Sequence, residues 1–475
     1  MEVLKQLFEK YFHTPATRVE PLQGQLGASG RNIIRLSNDT ASAIGILYGV
    51  REENVAFLEF SKAFRRNGLP VPQIYEEDLD CGAYLEEDLG DLTLYQFLSE
   101  HRKGDDISPE VIGAYRKVIS ILPRFQVEMR NKINYKVCYP RSNFDRQSIT
   151  WDLNYFKYYF LRLAGIPFSE QALENDFSRL TKFLLGVDRD FFLYRDFQSR
   201  NVMLVEGSPY FLDYQGGRKG ALQYDIASLL FDAKADLTPE IRRQLLDHYL
   251  DTLETFLPID RGLFFDYYYA YVYVRVMQAL GAYGFRGFYE SKPVFLQSVP
   301  FALKNIRWLL HNAKLPVALP SLMAAFTAIL GSEKLQSIAA ESDRLMVRIT
   351  SFSFHRGLPK DETGHGGGFV FDARSLPNPG REERFKPLSG KEAAIAEYLD
   401  QEEAVHNFFA SVASLVDASV SNYQDRGFKN LSVSFGCTGG QHRSVYLAEQ
   451  LAKHLRERGQ VDVVVRHREL ESSEQ

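Results

Sequence analysis

One short stretch, LYRDFQSRNVMLVEGSPYFLDYQ, holds three residues of the types that metal-assisted phosphoryl transfer requires. Asp196 is followed five positions later by Asn201, and Asp213 closes the apolar run that starts at Pro209. Phosphoryl transfer asks little covalent help of a protein. It needs an acceptor hydroxyl held in line, a carboxylate to take its proton, and cations to offset the phosphate charge. Asp196 on a loop can orient and deprotonate the acceptor. Asn201 and Asp213 offer the hard oxygen ligands that Mg2+ selects, with Asp213 able to hold the ion between the β- and γ-phosphates of ATP. An Asp and an Asn five apart occur by chance in many chains; the second acid behind an apolar strand gives the set its meaning.

A second stretch, VSFGCTGGQHRSVYLAEQLAKHL, runs from strand through glycine-containing turn to long helix. Backbone N–H groups and the helix dipole favour an anion in such a turn. Arg443 adds a forked donor matched to phosphate or carboxylate, and His442 and Ser444 add further donors. Cys437 and Arg443 are also six positions apart, the spacing at which a thiolate attacks phosphorus while an arginine holds its oxygens. A phosphatase centred on Cys437 is therefore an alternative. Against it, Gly436 stands where a histidine is expected and no general acid is evident.

Elements must position both sets. Residues 17–50 read as strand, glycine turn, strand, turn, strand, with GQLGASG as the glycine turn. A helix follows over 52–67, with Phe57, Phe60 and Phe64 at helical spacing and Gly68 and Pro70 as its stop. VPQIYEE and GAYLEEDLG complete a five-stranded lobe, and LEEDLGD leads out of it. From 92 to about 340 the pattern is mainly helical, broken near 191–214 by short strands, with a connecting helix pair over 319–342. Beyond 343, DRLMVRITSFSF, GFVFDAR, NLSVSFG and VDVVVRHR are β-rich runs alternating with helical segments at about 389–425 and 441–457. That alternation predicts a separate small α/β domain with a partly parallel sheet, and PKDETGHGGG reads as a loop.

The strings GASGRNIIRL, YLEEDLGD, YRDFQSRNVM and FLDYQGGRKGALQYDIASLL resemble the aminoglycoside phosphotransferase and choline kinase superfamily. Within it, the likeness is to kinases acting on the anomeric hydroxyl of N-acetylmuramate and N-acetylglucosamine. The resemblance implies an α+β, protein-kinase-like two-lobed fold over residues 1–320, a connector over 321–342 and a separate α/β domain over 343–475. It implies ATP and Mg2+ as cofactors, a sugar hydroxyl as acceptor, Asp196 as base, and Asn201 and Asp213 as metal ligands. Gly24, Gly27, Ser29 and Gly30 would cover the phosphates, although any hairpin turn can need such residues. Asp152 and Arg275 fall where such kinases build an acceptor pocket. Asp225 would support the catalytic loop, a helix N-cap being its alternative. Two departures stand out. Tyr194 and Arg195 precede Asp196 where a histidine is usual, and ASAIGILYG lacks the third-strand lysine that holds the α- and β-phosphates. Arg31 or Arg35 would supply that charge; a nucleotide-binding regulator that transfers nothing is the reading if neither does.

SFSFHRGLP, FVFDARSLPNP, PLSGKEAAIAEYLD and CTGGQHRSVYLAEQLA resemble the C-terminal domain of the RNase adapter RapZ. The likeness implies a phosphosugar or phosphate site at Cys437, Thr438, Gly439, Gly440, His442, Arg443 and Ser444, with Asp372, Arg374 and Asn378 from a neighbouring loop. It also implies association of copies through this domain. RNA binding does not carry over, because the segment after His467 holds more acids than bases and phosphate-backbone affinity rests on cations.

Bulk properties agree with a folded protein of two or three domains: 475 residues, 45% hydrophobic and 25% charged, net charge −5. Three cysteines are too few and too scattered for a disulfide framework. Lys5, Glu9 and Lys10 interrupt the N-terminal apolar run, unlike a signal peptide. Asp266 and Arg275 argue against a membrane span in LFFDYYYAYVYVRVMQALGAY. The expectation is a soluble cytoplasmic protein with no membrane partner.

Overall fold

The computed structural model describes residues 1–22, 30–104, 106–342, 345–359, 368–425, 428, 430–459 and 461–471. The chain divides into two compact units, Met1–Ile338 and Ala339–Gln475.

The first unit opens with helix α1 (Glu2–Phe12), whose Leu4, Leu7 and Phe8 share one face. They pack on the back of an antiparallel sheet together with Leu36, Ala43, Ala83 and Leu85. The strands are β1 (Arg18–Pro21), β2 (Asn32–Ser37), β3 (Ser42–Leu47), β4 (Ile74–Asp78) and β5 (Ala83–Glu87), in the order β1-β2-β3-β5-β4. Gly45 lies where this packing is tightest. A Cβ there would stand 2.7 Å from Leu36 Cδ1 and 2.8 Å from Leu4 Cδ1, so a side chain would push α1 off the sheet. Helix α2 (Arg51–Arg66) enters between β3 and β4. Its Phe57 stacks on Tyr84 of β5 and on Tyr214 (centroids 5.3 and 4.8 Å), joining α2 to the sheet and to the loop after Asp213. The five strands and inserted helix match the sequence expectation; Gly68, at φ 69, follows the end of α2.

The larger part of this unit is helical. The tyrosine-rich helix Arg261–Gly284 is buried along most of its length. It lies so close to the helix Arg146–Tyr155 and the turn Phe156–Leu161 that a Cβ at Gly284 would come 2.1 Å from the Tyr159 carbonyl oxygen. No helix among the described residues is long and apolar enough to cross a membrane. Short strands interrupt the helices as expected: Phe191–Leu193 pairs with Arg218–Gly220, and Val202–Val205 pairs with Ser208–Phe211. Two helices, Pro320–Leu330 and Glu333–Ser342, end the helical region.

The second unit is a sheet of four described strands in the order 368–372, 430–437, 346–353, 462–467. Every pairing is parallel, where a partly parallel sheet was expected. Val347, Ile349, Val433 and Phe435 point into a core shared with Leu447 and Leu451 of the helix Arg443–Arg458. Ala393–Asp400 and Glu403–Asp425 supply the other helices. Of the loop expected at 359–368, residues 360–367 lie outside the described residues.

Candidate functional site

The hairpin Val202–Phe211 sets the geometry of the first site. Its two-residue turn, Glu206-Gly207, has φ of 50° and 72°, the pair of left-handed residues that lets a short hairpin close with the natural twist. Closing it puts the residues flanking the hairpin side by side, and Leu212 N–H donates to the Asn201 carbonyl at 2.9 Å. Asn201 Nδ2 then donates to Asp213 Oδ2 at 3.1 Å and to the Asp196 carbonyl at 2.8 Å. The three residues singled out by spacing therefore meet at one point.

The loop carrying Asp196 is held from below. Asp225 accepts the N–H groups of Tyr194 (2.9 Å) and Arg195 (3.0 Å), and it is buried completely. It sits inside the helix Gln223–Leu230 rather than at its N-cap, so it is the loop support and not a cap. Burial raises its carboxyl to about 7, against the pull of those N–H donors. Arg195 adopts φ 83, a left-handed conformation that a side-chain-bearing residue takes only when its surroundings impose it. Its guanidinium grips Asp152 with both arms, at 2.7 and 2.6 Å. Asp152, expected in an acceptor pocket, is buried and engaged by Arg195 of the loop that carries Asp196.

Arg275 donates to Tyr224 Oη (3.1 Å) and Gln278 (2.9 Å), and is buried among them. Arg218, not foreseen, donates to the Gly216 and Tyr139 carbonyls. Burial and the nearby Arg195 charge depress its pKa. Gly216 lies against the catalytic loop, where a Cβ would stand 3.6 Å from Asp196 Oδ2.

On the metal side, the Asp213 side chain keeps 40% of its surface open to the cleft. The surrounding protein and then the Asp196 charge nevertheless push its carboxyl above the usual range, while Gln215 Nε2 donates to Oδ1 at 2.5 Å. The exposed Asp213 carboxylate, beside the Asn201 side chain, offers the hard oxygen donors that a divalent cation selects. Among the described residues no group of three or more metal-ligating His, Cys, Asp or Glu gathers anywhere. Mg2+ in a nucleotide site takes one or two protein ligands of the hard-oxygen kind and leaves the rest to phosphates and water. Asp213 and Asn201 fit it.

Of the nucleotide-side residues, Gly24, Gly27 and Ser29 lie outside the described residues, and Gly30 has φ 71. Arg35 is clasped by Asp88 (2.8 and 3.0 Å) and Asp91 (2.8 Å) of the lobe connector. Arg31 reaches Glu53 of α2 at 3.0 Å and stands 3.6 Å from Asp213.

In the second unit, Arg443 ties the two loops together, donating to the Arg374 and Leu376 carbonyls at 3.0 and 2.9 Å. Several expected anion donors prove to be engaged elsewhere. His442 Nε2 faces the Phe385 carbonyl (2.9 Å), Ser444 Oγ faces Cys437 Sγ (3.2 Å), and Asn378 Oδ1 accepts Gly380 N–H. Gly440 N–H donates inward to Cys437 Sγ. Arg374 pairs with Asp372 and lies 4.0 Å over the Phe354 ring. Thr438 and Gly439 stay exposed, with Arg443 Nη2 3.5 Å from Thr438 Oγ1. Cys437 is 3% exposed, at the base of the loop that presents Thr438 and Gly439.

Residues 47–259 match the model of the phosphotransferase enzyme family, and residues 345–471 match that of the RapZ C-terminal domain. The first unit is thus similar to the phosphotransferase enzyme family and the second to the RapZ C-terminal domain. A nucleotide-binding protein of Xanthomonas campestris pv. campestris (strain B100) is 42% identical over 128 residues, 27% of this chain and 44% of that protein. One of Xylella fastidiosa (strain M23) is 41% identical over 130 residues, 27% and 43%. The chain thus spans less than half the length of these relatives. Among solved structures, a choline kinase from Streptococcus pneumoniae is similar at 16% identity and TM-score 0.43, covering 64% of this chain and 98% of that one. An amicoumacin kinase in complex with AMP-PNP and Ca2+ is similar at 12% identity and TM-score 0.42, covering 71% and 92%.

Sequence reasoning missed Glu53, Glu86, Arg218 and the Arg195–Asp152 pair in the phosphotransferase domain. An acid in the first turn of a helix reads as a dipole partner, which hid Glu53. The pair joins residues 43 positions apart, and no local signal marks it.

Proposed function

We propose that the chain is an ATP-dependent, Mg2+-assisted phosphotransferase whose acceptor is the hydroxyl of an N-acetylated amino sugar from cell-wall recycling. The observation that carries this reading is the meeting of Asp196, Asn201 and Asp213 on a loop fixed by Asp225. Asp196 takes the proton of the acceptor hydroxyl as its oxygen attacks the γ-phosphorus, and the bond from that phosphorus to the β–γ bridging oxygen breaks, leaving ADP. Asn201 and Asp213 would hold Mg2+, which neutralises charge building on the phosphate oxygens. The choice of acceptor rests on the resemblance of the YRDFQSRNVM and FLDYQGGRKGALQYDIASLL strings to kinases of N-acetylated amino sugars.

The RapZ C-terminal domain, on this reading, binds a phosphosugar or phosphate at Thr438, Gly439, Arg443 and Arg374, and copies associate through it in the cytoplasm. Its resemblance to an amino-sugar-responsive domain supports a sensing role beside the kinase.

The test is incubation with Mg-ATP and a panel of amino sugars, choline and aminoglycosides, followed by mass spectrometry. We expect a phosphorylated amino sugar, lost in Asp196→Ala with the melting temperature unchanged. Equal turnover in that variant would remove Asp196 as base. No turnover with any acceptor, alongside nucleotide binding, would favour a regulator that holds nucleotide without transferring it.

A further inference from the structure

Kinases of this architecture hold the α- and β-phosphates with a third-strand lysine paired to a glutamate on the following helix. Here β3 reads Ser42-Ala43-Ile44-Gly45-Ile46-Leu47. The side chains on its cleft-facing side, Ile44 and Ile46, are buried opposite Glu86 and Tyr84 of β5. The glutamate is nonetheless in place. Glu53 lies in the first turn of α2, and its Oε2 accepts a hydrogen bond from Arg31 Nη2 at 3.0 Å.

Resting on the phosphotransferase reading, we propose that Arg31 is the phosphate-holding cation of this kinase, moved from the third strand to the entry of the second, and that Glu53 is the positioning residue that aims it.

Several observations converge on Arg31. It is 6% exposed, too buried to be a solvated surface charge. Its guanidinium lies over the Tyr48 ring at 4.9 Å, which fixes its plane. Nη1 stands 3.6 Å from Asp213 Oδ1, beyond hydrogen-bond length, so the guanidinium and the metal-ligand carboxylate face the same space. Nε has no partner among the described residues. A buried guanidinium with one close hydrogen bond keeps donors in reserve, and burying donors without acceptors is costly. A phosphate at the cleft would satisfy them bidentately. Charge supports the same role. Burial raises the Glu86 carboxyl to about 8 even though Arg31 opposes the shift, so near neutral pH Glu86 does not cancel the Arg31 charge. Arg35, the other basic residue at this edge, is held by Asp88 and Asp91.

The test measures binding of Mg-ATP, Mg-ADP and adenosine to the full chain by calorimetry. Wild type that fails to bind Mg-ATP overturns the phosphotransferase reading itself, and this proposal with it. Given wild-type binding, Arg31→Gln should weaken Mg-ATP and Mg-ADP about 10- to 100-fold, the scale of a charge-assisted pair, and leave adenosine unchanged. Arg31→Lys should recover part of the loss. Glu53→Gln should weaken Mg-ATP, Glu53→Asp should restore it partly, and the double variant Arg31→Gln/Glu53→Gln should be no worse than Arg31→Gln alone. Unchanged Mg-ATP binding in Arg31→Gln, equal loss of adenosine and ATP, or additive single effects would each overturn it.

Discussion

At the scale of single residues, the clearest consequence concerns Glu86. Folded, its carboxyl keeps its proton up to about pH 8; unfolded, it ionises near the ordinary glutamate value of 4.5. Between those values the unfolded state binds fewer protons, so this group's contribution to stability falls as pH rises and levels off above about pH 8. Glu86→Gln is neutral throughout. Its melting temperature relative to wild type should therefore rise between about pH 5 and pH 8, read by calorimetry across that range; parallel curves would mean that Glu86 is ionised in the fold. Residues of this kind were illegible in the sequence. Asp196, Asn201 and Asp213 could be read because their chemistry demands short, recognisable spacing. The surroundings of Asp152 and Arg35 were illegible for the converse reason: each has a charge suited to a ligand, and only three-dimensional contact shows the ion pairs they make with Arg195 and with the lobe connector.

Elements were more legible than their meetings. The five strands, the inserted helix and the helix stop at Gly68 followed from apolar periodicity and from residues that permit or end a helix. The sequence could not reveal how closely the tyrosine-rich helix lies against Tyr159, because glycines at helical spacing announce no partner. With a Cβ at residue 284 arriving 2.1 Å from a backbone oxygen, Gly284→Ala must force the two segments apart. We expect a loss of about 1–3 kcal/mol in denaturant unfolding, typical of overpacking. An unchanged midpoint would show that the helix shifts freely. Because Tyr224 is a partner of Arg275 on that helix and of Arg195 on the catalytic loop, the same variant should also lower turnover. The fully parallel second sheet was half legible: its strands read clearly, but direction depends on crossovers that include residues with no pattern of their own.

At the scale of the whole molecule, two units each carry a core and a candidate site. A ligand that binds one folded unit stabilises that unit by mass action. Glucosamine-6-phosphate or inorganic phosphate should then raise the melting transition of the RapZ C-terminal domain, and Gly439→Glu should abolish the shift while leaving Mg-ATP binding intact. A shift that persists in that variant would place the anion elsewhere. The division into Met1–Ile338 and Ala339–Gln475 also bears on supply. Synthesised as one polypeptide, the two halves are made in fixed one-to-one stoichiometry whatever the level of expression. On the proposed function, neither dilution of the cell contents nor uneven synthesis would separate the amount of catalyst from the amount of anion receptor.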